Sequence, residues 1–219
     1  MANQLETVVH QADVCVVGGG LAGMLAAISA ARHGARVVLM HDRPVLGGNA
    51  SSEIRMWICG AGTRIRYLQE TGIMEEIALE NMQRNPSRNY SIWDTVLYEK
   101  VRFQEGLEPL LNCACCAAEM ADGKIASVTG FQLTTYTWHR VEAKIFIDCS
   151  GDSILAGLTG AEYRVGRESK AAHGEAFARD EADRKTMGMS LLIQARETDH
   201  PVPFTPPAWA HRYPTDESM

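Results

Sequence analysis

Three glycines near the start of the chain, Gly18, Gly20 and Gly23, have the spacing that binds the pyrophosphate of a dinucleotide. Each has a separate task in such a motif: Gly18 permits the tight turn, Gly20 lets the backbone approach the phosphates, and Gly23 lets a helix pack close to a strand. The first turn of that helix has N–H groups without intrahelical acceptors, and these groups attract anions. The spacing therefore predicts a phosphate-binding turn.

The elements around the motif distinguish a binding turn from a flexible glycine-rich loop. Residues 14–17 form an apolar run typical of a buried strand, and a helical pattern extends from Leu21 to His33 and stops before Gly34. A second strand is predicted at residues 36–40, and the acidic Asp42 follows it. Strand, helix and strand in this order form a right-handed βαβ unit with parallel strands, which favours dinucleotide binding.

A second glycine pair, Gly47 and Gly48, indicates which dinucleotide is bound. The run at residues 44–48 closely follows the second strand, and two adjacent glycines let the chain pass beside a pyrophosphate and under a flavin ring. Simple NAD domains usually lack this feature, so we expect FAD. Two alternatives remain open: a nucleotide-binding module without a redox role, and the NAD(P)-binding domain of a dehydrogenase.

The rest of the chain predicts two helices followed by a group of strands that forms an antiparallel meander with a turn at Asp122 and Gly123. After a loop at residues 44–62, the expected bounds are residues 63–82 and 91–105 for the helices, with a breaker at residues 85–89, and residues 109–120, 124–136 and 141–148 for the strands. The expected fold class is α/β, a Rossmann-like FAD-binding domain with a parallel sheet plus this β-meander.

The domain boundary is predicted near residue 160. Residues 1–160 are expected to form the cofactor domain, and residues 161–219 the beginning of an inserted substrate domain. Residues 151–159 have a helical pattern, whereas residues 201–214 are proline-rich and irregular, and the last residues carry no element that would close a domain. We therefore expect the chain to be a fragment that stops within the second domain and is inactive alone.

Four stretches of the sequence resemble the bacterial FAD-dependent oxidoreductases, which are related in fold to the glutathione reductase and fumarate reductase flavoproteins. They are VVGGGLAGMLAAISAARHGARVVL at residues 16–39, DRPVLGGNASSEIRMWICGA at 42–61, WDTVLYEKV at 93–101 and FIDCSGDSILAGLTGAEYRVGRES at 146–169. Residues 175–196 are similar to the same family, so the resemblance covers nearly all of the chain. It implies an FAD-dependent oxidoreductase that acts on a small molecule.

The resemblance also implies where the cofactor is bound. Its implied contacts are Gly18, Gly20, Leu21, Ala22 and Gly23 on the pyrophosphate, Gly47, Gly48, Asn49 and Ser51 along the flavin, Cys115 on the third main strand beside the adenine, and Ser150, Gly151 and Asp152 in a second flavin-contact turn. The last three residues have an ordinary alternative, because a strand exit followed by a helix N-cap has the same composition.

One position departs from the pattern of the related flavoproteins. They generally have Glu as the first residue after the second strand, where it binds the ribose hydroxyls of the adenosine, whereas this chain has His41. Asp42 comes one residue later and would reach the ribose if the turn is rotated, with Arg43 contributing charge. We therefore include His41, Asp42 and Arg43 among the expected cofactor contacts.

The catalytic group is not assigned by the sequence. Glu53, Arg55 and Cys59 lie in the loop expected near the flavin ring and are candidates for substrate or flavin contacts. The alternatives are a surface ion pair between Glu53 and Arg55, and a buried small residue at Cys59. Residues 49–59 contain no histidine that would tether a flavin as in some fumarate reductase relatives, so we expect noncovalent FAD.

The charge and composition of the chain narrow its expected partners, cellular location and metal binding. The net charge of -6 and the lack of a basic run exclude nucleic acid as an expected partner, and no apolar run is long enough to cross a bilayer. The polar start of the chain and the irregular cysteines favour the cytoplasm. Cys113, Cys115 and Cys116 are expected to be ordinary strand residues and not metal ligands, because a strand places Cys116 on the opposite face. The sequence carries no signal for an oligomeric state.

Overall fold

The computed structural model describes residues 5–56, 58–59, 71–188, 195–213 and 215. Backbone contacts divide the chain into two units, Met1–Lys185 and Thr186–Met219. The first unit contains the sheet and its helices. In the described residues of the second unit there is no helix or strand. None of the described helices is both long and apolar enough to cross a lipid bilayer.

A six-stranded sheet forms the centre of the first unit, with the strand order β3-β2-β1-β6-β5-β4. The strands are β1 (Thr7–Val17), β2 (Val37–Met40), β3 (Leu107–Leu110), β4 (Cys113–Ala121), β5 (Lys124–Gln132) and β6 (Thr137–Asp148). Strands β3, β2, β1 and β6 are parallel, whereas β5 is antiparallel to both β6 and β4. The predicted class, a mostly parallel Rossmann-like sheet joined to an antiparallel meander, is confirmed.

The helices are α1 (Leu21–Arg32), α2 (Ile73–Arg84), α3 (Tyr90–Arg102), α4 (Ile154–Thr159) and α5 (Lys170–His173). Helices α1, α2 and α3 pack on one face of the parallel strands, and β4, β5 and α4 pack on the other. The alternation along β1 shows the two faces: Val14 and Val16 pack in a core with α1, α2 and α3, whereas Cys15 and Val17 pack in a second core with β4, β5 and α4. A strand buried on both faces has the continuous apolar sequence seen here.

Four strand predictions, including the one at residues 141–148, had wrong bounds. Strand β1 begins at Thr7 because its first half pairs with β6, for example Thr7 with Trp138, although that half includes the polar residues Thr7, His10 and Gln11. The strand predicted at residues 109–120 is two strands, β3 and β4, since the chain turns at Asn112 with φ 52°. Similarly, the strand predicted at residues 124–136 ends at Gln132, and β6 begins at Thr137.

The bounds of the helices were predicted more accurately than those of the strands. Helix α1 ends at Arg32, one residue before the predicted end, and Gly34 follows at φ 86°. Helix α2 begins only at Ile73, because Gly72 adopts φ 70° and interrupts the pattern predicted from residue 63; residues 63–70 lie outside the described part of the chain. Helix α3 begins at Tyr90, where the Asn89 side chain accepts a hydrogen bond from the Ser91 N–H at 2.8 Å.

Candidate cofactor-binding site

The phosphate turn lies where β1 ends, and its outer two glycines are enforced by close backbone contacts. Gly18 has φ 103°, and a Cβ atom there would lie 2.2 Å from the carbonyl oxygen of Cys149. A Cβ atom on Gly23 would lie 1.8 Å from the carbonyl oxygen of Gly18. Neither contact is possible for a side chain, so both positions require glycine for the turn and the helix to pack against β6 and β1.

Gly20 is different, because among the residues that the structure describes a Cβ atom there would meet only the Cα of Gly48, at 3.9 Å. Gly20 is also the N-cap of α1, and the first helical hydrogen bond runs from the Met24 N–H to the Gly20 carbonyl at 2.9 Å. The amides of Leu21 and Ala22 precede that bond and have no acceptor within the helix. Open space beside Gly20 and free amides at a helix N-terminus together form a cradle for a phosphate group.

The glycine pair at positions 47 and 48 completes this cradle. Gly47 and Gly48 have φ 104° and 57°, conformations that favour glycine. The Gly47 N–H donates to the Gly19 carbonyl at 2.9 Å, and a Cβ atom on Gly48 would come within 3.0 Å of the Gly20 Cα. The two glycine motifs, separate in the sequence, therefore form one continuous backbone surface.

Helix α3 holds the loop that follows this pair. The Trp93 indole N–H donates to the Ala50 carbonyl at 2.8 Å, the Ser52 N–H donates to the Asp94 carboxylate at 2.9 Å, and the Tyr90 hydroxyl donates to the Arg55 carbonyl at 3.1 Å. Sequence analysis gave these α3 residues no role. The available signal was a tryptophan and an aspartate at the start of an amphipathic helix, which is too common to indicate a partner.

Expected flavin-side residues lie in this loop. Ser51 is buried, and its hydroxyl accepts a hydrogen bond from the Glu53 N–H at 3.3 Å. The Asn49 backbone carbonyl accepts a hydrogen bond from the Met56 N–H at 2.8 Å. These bonds close the loop on itself between the glycine pair and Met56.

His41 points into the protein. Its side chain is buried, its Nδ1 accepts a hydrogen bond from the Gly19 N–H at 2.9 Å, and its Nε2–H donates to the Val45 carbonyl at 3.0 Å. Burial lowers the pKa of the imidazole, which favours the neutral form that these two bonds require. The neighbouring Asp42 carboxylate is mostly exposed and lies 3.4 Å from the His41 Nδ1.

The charged residues of this region pair differently from the predicted surface pair. Glu53 is paired with Arg43, whose Nε lies 3.2 Å from the carboxylate. The Arg55 Nε instead donates to the Ser52 carbonyl at 3.1 Å, and its guanidinium lies 5.4 Å from the centre of the Tyr90 ring. Cys59 is exposed, so the alternative of a buried small residue was wrong.

The turn at Ser150, Gly151 and Asp152 lies beside the phosphate turn, because the Cys149 N–H donates to the Val17 carbonyl at 2.7 Å. The Ser150 hydroxyl donates to Asp148 at 2.7 Å, and the other oxygen of Asp148 accepts the Leu155 N–H at 2.8 Å. Asp148 therefore satisfies an N–H group at the start of α4, a contact that the sequence did not predict. Gly151, at φ 84°, has open space around it.

Cys115 lies on β4 and not on the third main strand, which is β3. The predicted strand placement was wrong because the turn at Asn112 separates the two strands. Burial raises the pKa of the Cys115 thiol to about 11, so it stays protonated at neutral pH.

Within the described ranges, no group of three or more His, Cys, Asp or Glu side chains is arranged to hold a metal ion.

Comparison with known proteins agrees with this geometry. The family model for FAD dependent oxidoreductases matches residues 13–218. A fumarate reductase (cytochrome) from Shewanella frigidimarina is 60% identical over 38 residues, which is 17% of this chain and 7% of that protein. A soluble pyridine nucleotide transhydrogenase from Chromohalobacter salexigens is 49% identical over 43 residues, which is 20% of this chain and 9% of that protein. The aligned segments thus span a small part of these relatives.

Solved structures show the same fold at low sequence identity. A geranylgeranyl bacteriochlorophyll reductase-like protein from Thermoplasma acidophilum has a TM-score of 0.52 and 19% identity, over 73% of this chain and 45% of that one. A flavin-dependent brominase has a TM-score of 0.50 and 17% identity, over 68% of this chain and 41% of that one. With the match across residues 13–218 and a backbone cradle suited to a pyrophosphate, the chain belongs to the FAD-dependent oxidoreductase family, whose cofactor is FAD.

Proposed function

We propose that the protein binds FAD noncovalently at the phosphate turn and uses it to oxidise or reduce a small molecule. The observation that carries this proposal is the cradle of Gly20, Gly48 and the start of α1, where a side chain is absent and helix amides lack acceptors. When bound, the flavin supplies hydride chemistry at its ring. The protein contributes binding, orientation and exclusion of water.

Each part of the cofactor then has an assigned set of residues. The amides of Leu21, Ala22 and Gly23 would face the pyrophosphate, and the exposed carboxylate of Asp42 would accept hydrogen bonds from the ribose hydroxyls. Along the flavin and adenine, the assigned residues are Gly47, Gly48, Asn49 and Ser51, the backbone of Cys115, and Ser150, Gly151 and Asp152. Support for this assignment comes from the two glycine motifs meeting at one surface.

We also propose the domain organisation and location expected from the sequence. Residues 1–160 would be the cofactor domain and residues 161–219 would belong to a substrate domain, in a cytoplasmic protein. Free buried thiols at Cys15 and Cys113, whose pKa values burial raises to about 12, are compatible with a reducing compartment.

A visible absorption spectrum of the purified protein tests the cofactor assignment. FAD is added, the excess is removed, and dithionite is then introduced. We expect flavin bands that bleach on reduction and leave the polypeptide on acid precipitation. Flavin that stays with the precipitated polypeptide would contradict noncovalent binding.

Nucleotide binding to the same purified protein distinguishes the FAD assignment from its alternatives. A nucleotide-binding module without a redox role would bind ADP as tightly as FAD, and an NAD(P) domain would bind NAD in preference. Equilibrium dialysis with FAD, NAD and ADP at equal concentrations is expected to give the lowest Kd for FAD. Equal or tighter binding of either competitor would overturn the proposal.

A further inference from the structure

We propose that His41 is a positioning residue for the cofactor: its neutral imidazole fixes the phosphate turn by bonding to Gly19 and Val45 at once, and it does not contact the ribose. This inference rests on the proposed FAD site. In the resembled flavoproteins this position carries a ribose-binding carboxylate, so the role of the position has changed in this chain.

The first support is the fit between the imidazole and Gly19. A Cβ atom on Gly19 would lie 2.7 Å from the His41 Cγ and 2.8 Å from a Leu46 methyl group. The residue between the two motif glycines therefore has no room for a side chain because the His41 ring occupies that space. The ring is buried, and its Nδ1 faces the Gly19 N–H.

The second support is the chemistry of the two bonds. A backbone N–H only donates, so the Nδ1 facing Gly19 at 2.9 Å must carry a lone pair. A carbonyl only accepts, so the Nε2 facing Val45 at 3.0 Å must carry the proton. One neutral tautomer satisfies both bonds. In an imidazolium, the protonated Nδ1 would instead face the Gly19 N–H, so that two donors would oppose each other.

The charges around the ring do not reverse this preference. Asp42 and Glu53 favour the charged imidazole and Arg43 opposes it, but burial is the largest influence and lowers the pKa. Asp42 is mostly exposed, and Glu53 is already paired with Arg43 at 3.2 Å. Solvent therefore screens much of the attraction that these carboxylates exert.

Through Gly19, the hydrogen bonds of His41 connect the two glycine motifs. Gly19 donates its N–H to His41 and accepts the Gly47 N–H at its carbonyl, at 2.9 Å. Val45, the other partner of His41, lies in the loop that leads to Gly47. Loss of the imidazole would therefore loosen the phosphate turn and the glycine pair together.

Three variants of the protein test this role. In His41→Gln, the amide oxygen accepts from Gly19 and the amide N–H donates to Val45, so the FAD Kd is expected to stay within about threefold of wild type. In His41→Leu both bonds are lost, and the Kd is expected to rise about tenfold or more. His139→Gln, a second buried histidine on β6, is the matched control and is expected to leave the Kd unchanged.

Flavin fluorescence on titration gives the Kd, and circular dichroism checks that each variant is folded. A Leu variant that is folded and binds FAD like wild type would overturn the role. So would a folded Gln variant as weak as the Leu variant, because it would mean that the ring itself contacts the cofactor.

A nitrogen NMR spectrum of the His41 ring gives a readout that does not need FAD. We expect an unprotonated Nδ1 and a protonated Nε2 at neutral pH. The opposite tautomer or an imidazolium would overturn the inference whether or not FAD binds. Wild-type protein that shows the expected tautomer but binds no FAD would instead contradict the proposed function.

Discussion

At the scale of single residues, the burial of His41 gives the fold a dependence on pH. Burial lowers the imidazole pKa from its ordinary 6.5, so in acid the unfolded chain takes up a proton that the folded chain does not. The free energy of unfolding is expected to be constant above that value and to fall as the pH decreases below it. His139, whose pKa burial and the neighbouring His10 also lower, adds to this fall.

Urea denaturation at pH 7.5 and pH 5 measures the contribution of each histidine. The His41→Gln variant is expected to lose less stability between the two pH values than wild type, since its amide does not titrate. An identical loss in variant and wild type would show that His41 is protonated equally in the folded and unfolded chains.

The packing of Gly23 supports a second prediction. A Cβ atom in Gly23→Ala would meet the Gly18 carbonyl at 1.8 Å, so we expect a loss of about 2 kcal/mol in unfolding free energy and of FAD binding. Gly157→Ala is the matched control, because Gly157 lies within α4 with nothing near its Cβ position. Thermal melts should show a decrease in Tm for the first variant and none for the second.

The site was predictable at this scale where the residue type itself sets the geometry. Gly18, Gly20 and Gly23 were identified from spacing because their backbone roles are local. The pairing of Glu53 with Arg43, and of His41 with Gly19, was not predictable. Those partners depend on how the loop after β2 folds back, which adjacent sequence does not specify.

At the scale of elements, α3 is a support for the loop beside the glycine pair. In Asp94→Ala the Ser52 N–H loses its acceptor, and the FAD Kd is expected to rise about fivefold with little change in Tm. Asp94→Asn keeps an acceptor oxygen and is expected to bind FAD nearly as wild type. If Asp94→Ala bound FAD unchanged, the loop would be held adequately by Trp93 and Tyr90 alone.

Helices were easier to predict than strand bounds for a physical reason. The α1 sequence is apolar and ends at Gly34, a local stop signal. The turn at Asn112 has no glycine or proline, and Asn112 takes a left-handed φ of 52° while its N–H donates to the Arg43 carbonyl at 3.1 Å and its carbonyl accepts the Leu133 N–H at 3.0 Å. Local sequence therefore showed a continuous strand where tertiary contacts break it.

At the scale of the whole molecule, the antiparallel meander packs closely against the parallel strands at Gly130, where there is no room for a side chain. In Gly130→Ala, the new Cβ would lie 2.6 Å from the Met40 sulfur and 2.9 Å from the Cys113 sulfur. We expect the variant to lose about 2 kcal/mol of stability by overpacking, measured by urea denaturation. Met40→Val removes the first of these contacts and should restore part of the loss in the double variant. Full stability of the single variant would show that the meander can shift.

The pairing of β1 with β6 has a consequence for how the protein is made. The first strand synthesised pairs with the last, from Thr7 with Trp138 to Val17 with Asp148. A ribosome must therefore extend the chain to Asp148 before the middle of the sheet can close, and contacts so distant in sequence form slowly. Until then, β1 presents an apolar open edge that favours aggregation. Chaperones that cover nascent strand edges are expected to raise the yield of folded protein.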